Sequence, residues 1–357
     1  MLVVPISRAT TRHFAPPRSL PAILSTMFGS HLSIAGSMVN ALISARTLGL
    51  DCVQVFTKNQ QQWAAPPLNP EEVAAFRHAL VEMGWAMDKP GASRRSDAHP
   101  SRVVAHASYL ANLASPDDTL RSRSCAMVLV ELNRCHELGI PLLVFHPGAA
   151  TDGEPLAGER RIVYACAELL AQTAGHRTVL CLENVVGAGS TIGREFEQLA
   201  RLREQIIALA RGGNERVGFC LDTCHMHAGG YDLSTIESSA RALEHAENTL
   251  GLVNVRCLHM NDSKGGVGSR LDRHAHIGEG SIGAAGFGPW VSAPQLRNIP
   301  KIMETPKGEG PGGVDCDSVN VSRLRALARG EAVTIVPLAT EATKSSQTRN
   351  PAKALIS

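Results

Sequence analysis

The sequence predicts an α/β protein, a (β/α)8 TIM barrel with a metal site at the C-terminal rim of its strands. Three observations predict it. Eight short apolar runs alternate with segments of helical pattern, the signature of parallel βαβ units. The eight units fill about 280 residues, the length of one closed barrel. The residues that end six successive runs are His106, His146, Glu183, Asp222, His259 and Glu304, separated by 40, 37, 39, 37 and 45 residues. Each interval is one strand–helix unit. In a closed parallel barrel all strand C-termini share one rim, so these side chains should converge.

The first run is Thr26 to Ser30, followed by His31 in FGSHLS. The second, Cys52 to Thr57, leads into FTKNQQQW (Phe56 to Trp63), which offers Lys58, Asn59, Gln60, Gln61 and Gln62 beside an aromatic. Asn69-Pro70 starts a helical segment that reaches Met83. Asp88 to Ser101, DKPGASRRSDAHPS, interrupts the alternation; it is polar, carries Arg94 and Arg95, and reads as a surface insertion. The third run, Arg102 to His106, continues into HASYLANL and places Tyr109 and Leu110 just past its end. Helical pattern from Asp117 to Leu138 stops at Gly139.

The fourth run is Pro141 to His146 and the fifth Thr178 to Glu183, with a helix over Gly158 to Thr173 between them. A helix over Gly193 to Ala210 leads to the sixth, Val217 to Asp222. The loop expected after it delivers Cys224, His225 and His227 in quick succession. A helix over Ser234 to Leu250 precedes the seventh run, Val255 to His259. The Gly-rich stretch Asn261 to His274 then carries Lys264, Arg270 and Arg273 and the compact pair Asp272 and His274. Pro300 to Glu304 closes the barrel.

The barrel domain is therefore expected over 27–330. Residues 1–26 hold no Asp or Glu, with Arg8, Arg12, Arg18 and four prolines. They read as a disordered N-terminal extension of unknown role, as does the 331–357 tail at the other end. The apolar fraction of 44% supports a sizeable core, and no stretch of 18 apolar residues offers a membrane span. A net charge of +2 does not argue for a nucleic-acid partner, so any phosphate contact must come from a local patch. Nine cysteines without a CxxC framework read as buried thiols in a reducing, cytoplasmic setting.

The rim set joins carboxylates to imidazoles, a combination suited to Zn2+ or Mn2+. Glu183 has ligands on both sides and can bridge two metals ~3.5–4 Å apart, as in two-metal hydrolases. His225, Asp272 and His274 make a third candidate site. His227, His276 and His31 read as neighbours of the ligands rather than ligands. Tyr109 and Leu110 fit packing or a wedge into a base stack.

These residues carry a family resemblance. FTKNQQQW, HASYLANLASP, FHPGA, LENVVGAGSTIG, RVGFCLDTCHMHAGGYDL, LHMNDSKGGVGSRLDRHAHIGEGSIG and IPKIMET, in order from Phe28 to Pro306, resemble endonuclease IV, the zinc-dependent apurinic/apyrimidinic endonuclease family. The resemblance implies three zinc ions: one held by His106, His146 and Glu183, one by Glu183, Asp222, His259 and Glu304, and one by His225, Asp272 and His274. It implies cleavage of double-stranded DNA on the 5′ side of an abasic site, leaving a 3′-hydroxyl and a 5′-deoxyribose phosphate, and trimming of blocked 3′ ends. A metal-bridging hydroxide would attack phosphorus, with Glu183 and Glu304 as the catalytic carboxylates. Lys58, Asn59, Gln61, Gln62, Tyr109, Leu110, Lys264, Arg270 and Arg273 are the expected DNA contacts, and a monomer suits that work. Two departures stand out: Gln61 replaces an Arg that the family inserts into the duplex, and Ala107 replaces a common Asp.

Overall fold

The computed structural model describes residues 26–86, 101–210 and 212–338. The expected insertion, except Ser101, and nearly all of the N-terminal extension lie outside them.

Eight parallel strands close into a barrel. They are β1 (Phe28–His31), β2 (Cys52–Phe56), β3 (Val103–His106), β4 (Leu142–Phe145), β5 (Val179–Glu183), β6 (Val217–Asp222), β7 (Val255–His259) and β10 (Lys301–Met303). Closure is made by β1 pairing with β10, Phe28 opposite Lys301. The remaining two strands, β8 (Asp262–Ser263) and β9 (His274–Ala275), form an antiparallel ribbon on the rim. The strands read as continuous apolar runs because both faces are covered.

Helices α1 (Met38–Thr47), α2 (Pro70–Glu82), α3 (Asp118–Leu138), α4 (Pro155–Gln172), α5 (Phe196–Leu209), α8 (Ile236–Leu250) and α11 (Cys316–Ala328) surround the barrel. Shorter helical turns are α6 (Gly213–Arg216), α7 (Thr223–Gly229), α9 (Gly283–Gly286) and α10 (Gly288–Ser292). Local chemistry sets their starts. Asn69 accepts the Glu71 amide ahead of Pro70, and Asp117 accepts the Thr119 and Leu120 amides. Thr235 and Ser238 form a reciprocal capping box. Gly139 ends α3 in the left-handed region, φ 74°.

Two expectations need correction. The stretch after β6 is helical: Asp222 caps α7 by accepting the His225 amide at 2.7 Å, and Gly230 ends it. The first eight residues of the expected disordered tail are placed. Residues 331–338 lie against the barrel, with Leu338 buried and its amide donating to Glu279 Oε1 at 2.9 Å. Half-buried Val333 and Ile335 supply the apolar alternation that seats them. The tail from 339 is outside the described residues.

The nine cysteines are all free, eight of them buried. No helix among the described residues is long and apolar enough to cross a membrane.

Candidate metal centre

Strand periodicity builds the site. Inside the barrel, Val104, Val144, Cys181, Cys220, Cys257 and Ile302 form part of one apolar cluster. Two residues further along each strand come His106, His146, Glu183, Asp222, His259 and Glu304. A period of two returns each side chain to the same face, so the second layer stands on the first and opens at the rim. Glu183, Asp222 and His259 are fully buried; His146 and Glu304 follow their strands by one residue and reach the mouth.

The side chains fall into overlapping groups, each with its ligand atoms within 4.8 Å of one another. One is His106, His146 and Glu183; a second is Glu183, Asp222, His259 and Glu304. Glu183 Oε2 lies 3.1 Å from His106 Nε2 and 3.3 Å from His146 Nε2, while its Oε1 lies 2.9 Å from His259 Nδ1. The single carboxylate thus faces both groups.

The third expected set also meets. Asp272 Oδ1 is 3.3 Å from His225 Nε2 and 3.5 Å from His274 Nε2. The structure adds two members. Asp222 joins His225 and His274, and the Cys224 thiol joins Asp272 and His274.

Hydrogen bonding fixes which nitrogen each imidazole presents. His106 Nδ1 faces the Ala107 carbonyl at 2.7 Å, His225 Nδ1 the Asn184 carbonyl at 2.9 Å and His274 Nδ1 the Glu304 carbonyl at 3.1 Å. A carbonyl only accepts, so each Nδ1 carries the proton and each Nε2 is left for a ligand role. His274 Nε2 is buried with no hydrogen-bond partner among the described residues. That orphaned lone pair, aimed at Asp272 and Asp222, is what a cation would satisfy.

Electrostatics agree. Burial opposes charge on His225, but Asp222, Asp272 and Glu183 outweigh it and hold its pKa well above the imidazole range. His259 is raised in the same way, against burial, by Glu304 and Glu183. Burial would push Glu183 up, yet His259, His146 and His106 hold it well below the usual carboxylate value. Asp272 is drawn to about 2, its partial burial overcome by His225 and His274. Four carboxylates packed this closely demand positive charge, and imidazoles with a free nitrogen at each corner fit divalent metal ions.

The other histidines stay outside. His227 is buried, its Nδ1 accepting the Leu233 amide at 3.2 Å, and His276 pairs with Asn320 at 3.0 Å. His31 sits 3.5 Å from Glu304.

A pocket of about 490 Å³ opens over the cluster, lined by Tyr109, His146, His225, Asp272, Arg273, His274, Glu304 and Pro306. Tyr109 is 53% exposed, its ring 5.1 Å from that of His106 and 5.6 Å from that of His146. Of the expected DNA contacts, Tyr109 and Arg273 line this pocket. Asn59, Gln61, Gln62, Lys264 and Arg270 are exposed beyond it, and Leu110 is half-buried. A larger cavity, about 1390 Å³, opens at the opposite end of the barrel beside Arg216 and Arg256 and contains none of the rim ligands.

Lys58 corrects the expectation. It is buried, its Nζ donating to the carbonyls of Gln62 at 2.6 Å and Asn59 at 3.3 Å, with Glu131 Oε1 at 3.7 Å. Glu131 Oε1 also accepts the Ser108 amide at 3.1 Å, and Ser108 Oγ donates to the Gln60 carbonyl at 2.6 Å. Lys58 therefore binds the loop after β2 to the loop after β3 and does not reach a solvent-side phosphate.

Three functional neighbours escaped the sequence reading. Asn184 accepts the Asp222 amide at 2.7 Å. Asn261 donates to Asp222 Oδ2 at 2.6 Å and accepts the Glu304 amide at 2.7 Å. Gln54 sits among His31, His259 and Glu304. Asn184 and Asn261 lie just past strand ends, a signal available in the sequence, while Gln54 lies within β2; none is a metal-ligand residue type.

Fold and site together define a metal-centre enzyme built on a closed (β/α)8 barrel. A family model described as a xylose isomerase-like TIM barrel matches residues 42–323. The probable endonuclease 4 of Chloroflexus aurantiacus is 42% identical over 303 residues, 85% of this chain and 98% of that protein. Its counterpart from Geobacter sulfurreducens is 36% identical over 307 residues, 86% and 96% of the two chains. The crystal structure of endonuclease IV from Thermus thermophilus superimposes with a TM-score of 0.70 at 34% identity, over 85% of this chain and 99% of that one. The D-psicose 3-epimerase of Clostridium cellulolyticum, at 16% identity and a TM-score of 0.55 over 85% and 96% of the chains, shares the fold alone. The chain belongs to the endonuclease IV family, and by that membership it is an endonuclease, a hydrolase of phosphodiester bonds.

Proposed function

We propose that this enzyme is a zinc-dependent DNA-repair endonuclease. It cleaves the phosphodiester 5′ to an abasic site in duplex DNA, leaving a 3′-hydroxyl and a 5′-deoxyribose phosphate, and it also trims blocked 3′ ends. The observation that carries this reading is the shared carboxylate of Glu183, with ligand groups on either side and a third group within reach through Asp222. His106, His146 and Glu183 would hold one zinc. Glu183, Asp222, His259 and Glu304 would hold the second, and His225, Asp272 and His274 the third. Bound there, zinc would supply the Lewis acidity and charge neutralisation that phosphodiester hydrolysis requires.

The chain's own residues do the rest. An abasic nucleotide has no base to stack, so extruding it from the duplex costs little. The 490 Å³ pocket admits a sugar and its phosphate, with Arg273 on the wall. Tyr109, exposed at the mouth, offers an aromatic face to the gap left in the stack. The exposed Lys264 and Arg270 flank the path of the backbone. The enzyme would act as a monomer in the cytoplasm, on double-stranded DNA.

The test is a labelled duplex with one abasic site, incubated with the purified protein and no added magnesium. Incision 5′ to the lesion is expected. If no incision appears while a ketose and its epimer interconvert, the barrel serves sugar chemistry and the proposal fails.

A further inference from the structure

The ligand layer of the barrel has a member on β2 that is not a ligand. The apolar layer below it includes Cys52, and two residues further along β2 comes Gln54, completely buried. Gln54 thus occupies on β2 the level that His106 and Glu183 occupy on their own strands. An amide buried at that level costs about 1–3 kcal/mol if its polar atoms go unpaired. Here every one is used. Nε2 donates to Glu304 Oε1 at 2.7 Å and faces His31 Nδ1 at 3.0 Å, and Oε1 faces His259 Nε2 at 2.8 Å.

The direction of these bonds is forced. The amide oxygen only accepts, so His259 Nε2 must carry the proton. That assigns His259 Nδ1 as the nitrogen a metal would take in place of a proton, and Nδ1 is the atom that faces Glu183 Oε1 at 2.9 Å and Glu304 Oε2 at 3.3 Å. The same amide holds Glu304 by Oε1 and leaves Oε2 for the cluster. One side chain therefore sets both the tautomer of one ligand and the rotamer of another.

We propose that Gln54 is a positioning residue for the metal held by Glu183, Asp222, His259 and Glu304. It selects the ligating nitrogen of His259 and aims Glu304, without touching substrate. The inference rests on the zinc-centre reading above and goes further by assigning one site's affinity to this residue.

The test compares the wild-type protein with Gln54→Met, which keeps volume and length but makes none of the three bonds. Zinc content is measured by elemental analysis, and zinc release is followed in competition with a chromophoric chelator. In Gln54→Met the weakest-held zinc should be lost about 10–100-fold more readily, the range for removing a partner of a metal ligand. The metal-free protein should still unfold in one cooperative transition, so that zinc loss does not report a misfolded barrel. If Gln54→Met does not fold, Gln54→Glu carries the test: it is isosteric and keeps an acceptor for His259, but it cannot donate to Glu304 and should weaken the same site. Equal zinc retention in wild type and variant overturns the proposal, as does a metal-free protein that melts lower with zinc affinity intact. A wild-type protein that holds no zinc instead overturns the metal-centre reading, a different result.

Discussion

Asp222 and His225 stand three residues apart and lie side by side on the rim, each also turned to a different neighbour. Asp222 Oδ1 accepts the His225 amide at 2.7 Å, while its Oδ2 lies 3.8 Å from both His259 Nδ1 and His274 Nε2. His225 turns its Nε2 to Asp272, 3.3 Å away. Helix α7 is the device that sets these directions. Its first turn carries the imidazole away from the strand end, and the cap holds the carboxylate in place. Two metal groups are thereby tied by one backbone hydrogen bond.

Replacing His225 should therefore remove one metal and spare the others. His225→Ala is expected to lose about one zinc per chain by elemental analysis, with activity reduced at least about 100-fold. Loss of all metal, or of none, would show that the groups do not fill independently.

Lys58 should behave as a structural residue. Its side chain is 2% exposed and that of Glu131 is 1% exposed. Glu131 Oε2 already lacks a hydrogen-bond partner among the described residues. Lys58→Met leaves that carboxylate without compensation and is expected to lower stability by about 3–5 kcal/mol in denaturant unfolding. Adding Glu131→Leu should restore part of the loss. Unchanged stability combined with a shallower salt dependence of DNA binding would instead identify Lys58 as a phosphate contact.

Lys58 also shows where sequence reasoning stops. A lysine in a polar loop reads as exposed, and only the packing of α3 behind that loop reveals a buried partner. The ligand layer was legible because strand ends in a closed barrel converge, whatever the details of packing, and because His, Asp and Glu declare their chemistry. Gln54 sits at the same level and stayed hidden, since an amide has no ligand signature and its role depends on three partners far apart in the chain. The stretch TCHMHAG was hidden for another reason. Seven residues ending at paired glycines look like a loop, and a side chain from the preceding strand makes it a helix.

Tyr109 separates substrate binding from metal binding. Its ring packs near His106 and His146 but over half its surface is open. Tyr109→Ala is expected to weaken binding of a lesion-bearing duplex by about tenfold, the order of one to two kcal/mol of aromatic contact, and to leave zinc content unchanged. Tyr109→Phe keeps the ring and should restore most of the affinity. Loss of zinc in the alanine variant would mean that the ring shields the metal centre rather than meeting DNA.

Metal removal should destabilise the barrel from its rim. Without cations, Glu183, Asp222, Asp272 and Glu304 crowd one pocket, and protonated imidazoles must supply the balancing charge. A site that binds only the folded state contributes about 4 kcal/mol when free metal is about 1,000 times its Kd. Dialysis against a strong chelator should therefore lower the melting temperature by several degrees or more, and zinc should restore it. Raising pH should widen the gap. The pKa values of His225 and His259 lie above the imidazole range in the metal-free fold, so their favourable pairing with the carboxylates is fully present below pH ~6.5 and is lost as pH rises through the raised values. Bound zinc needs no such protons. Melting curves of loaded and stripped protein across neutral and alkaline pH check this, and a gap that narrows with rising pH would contradict it.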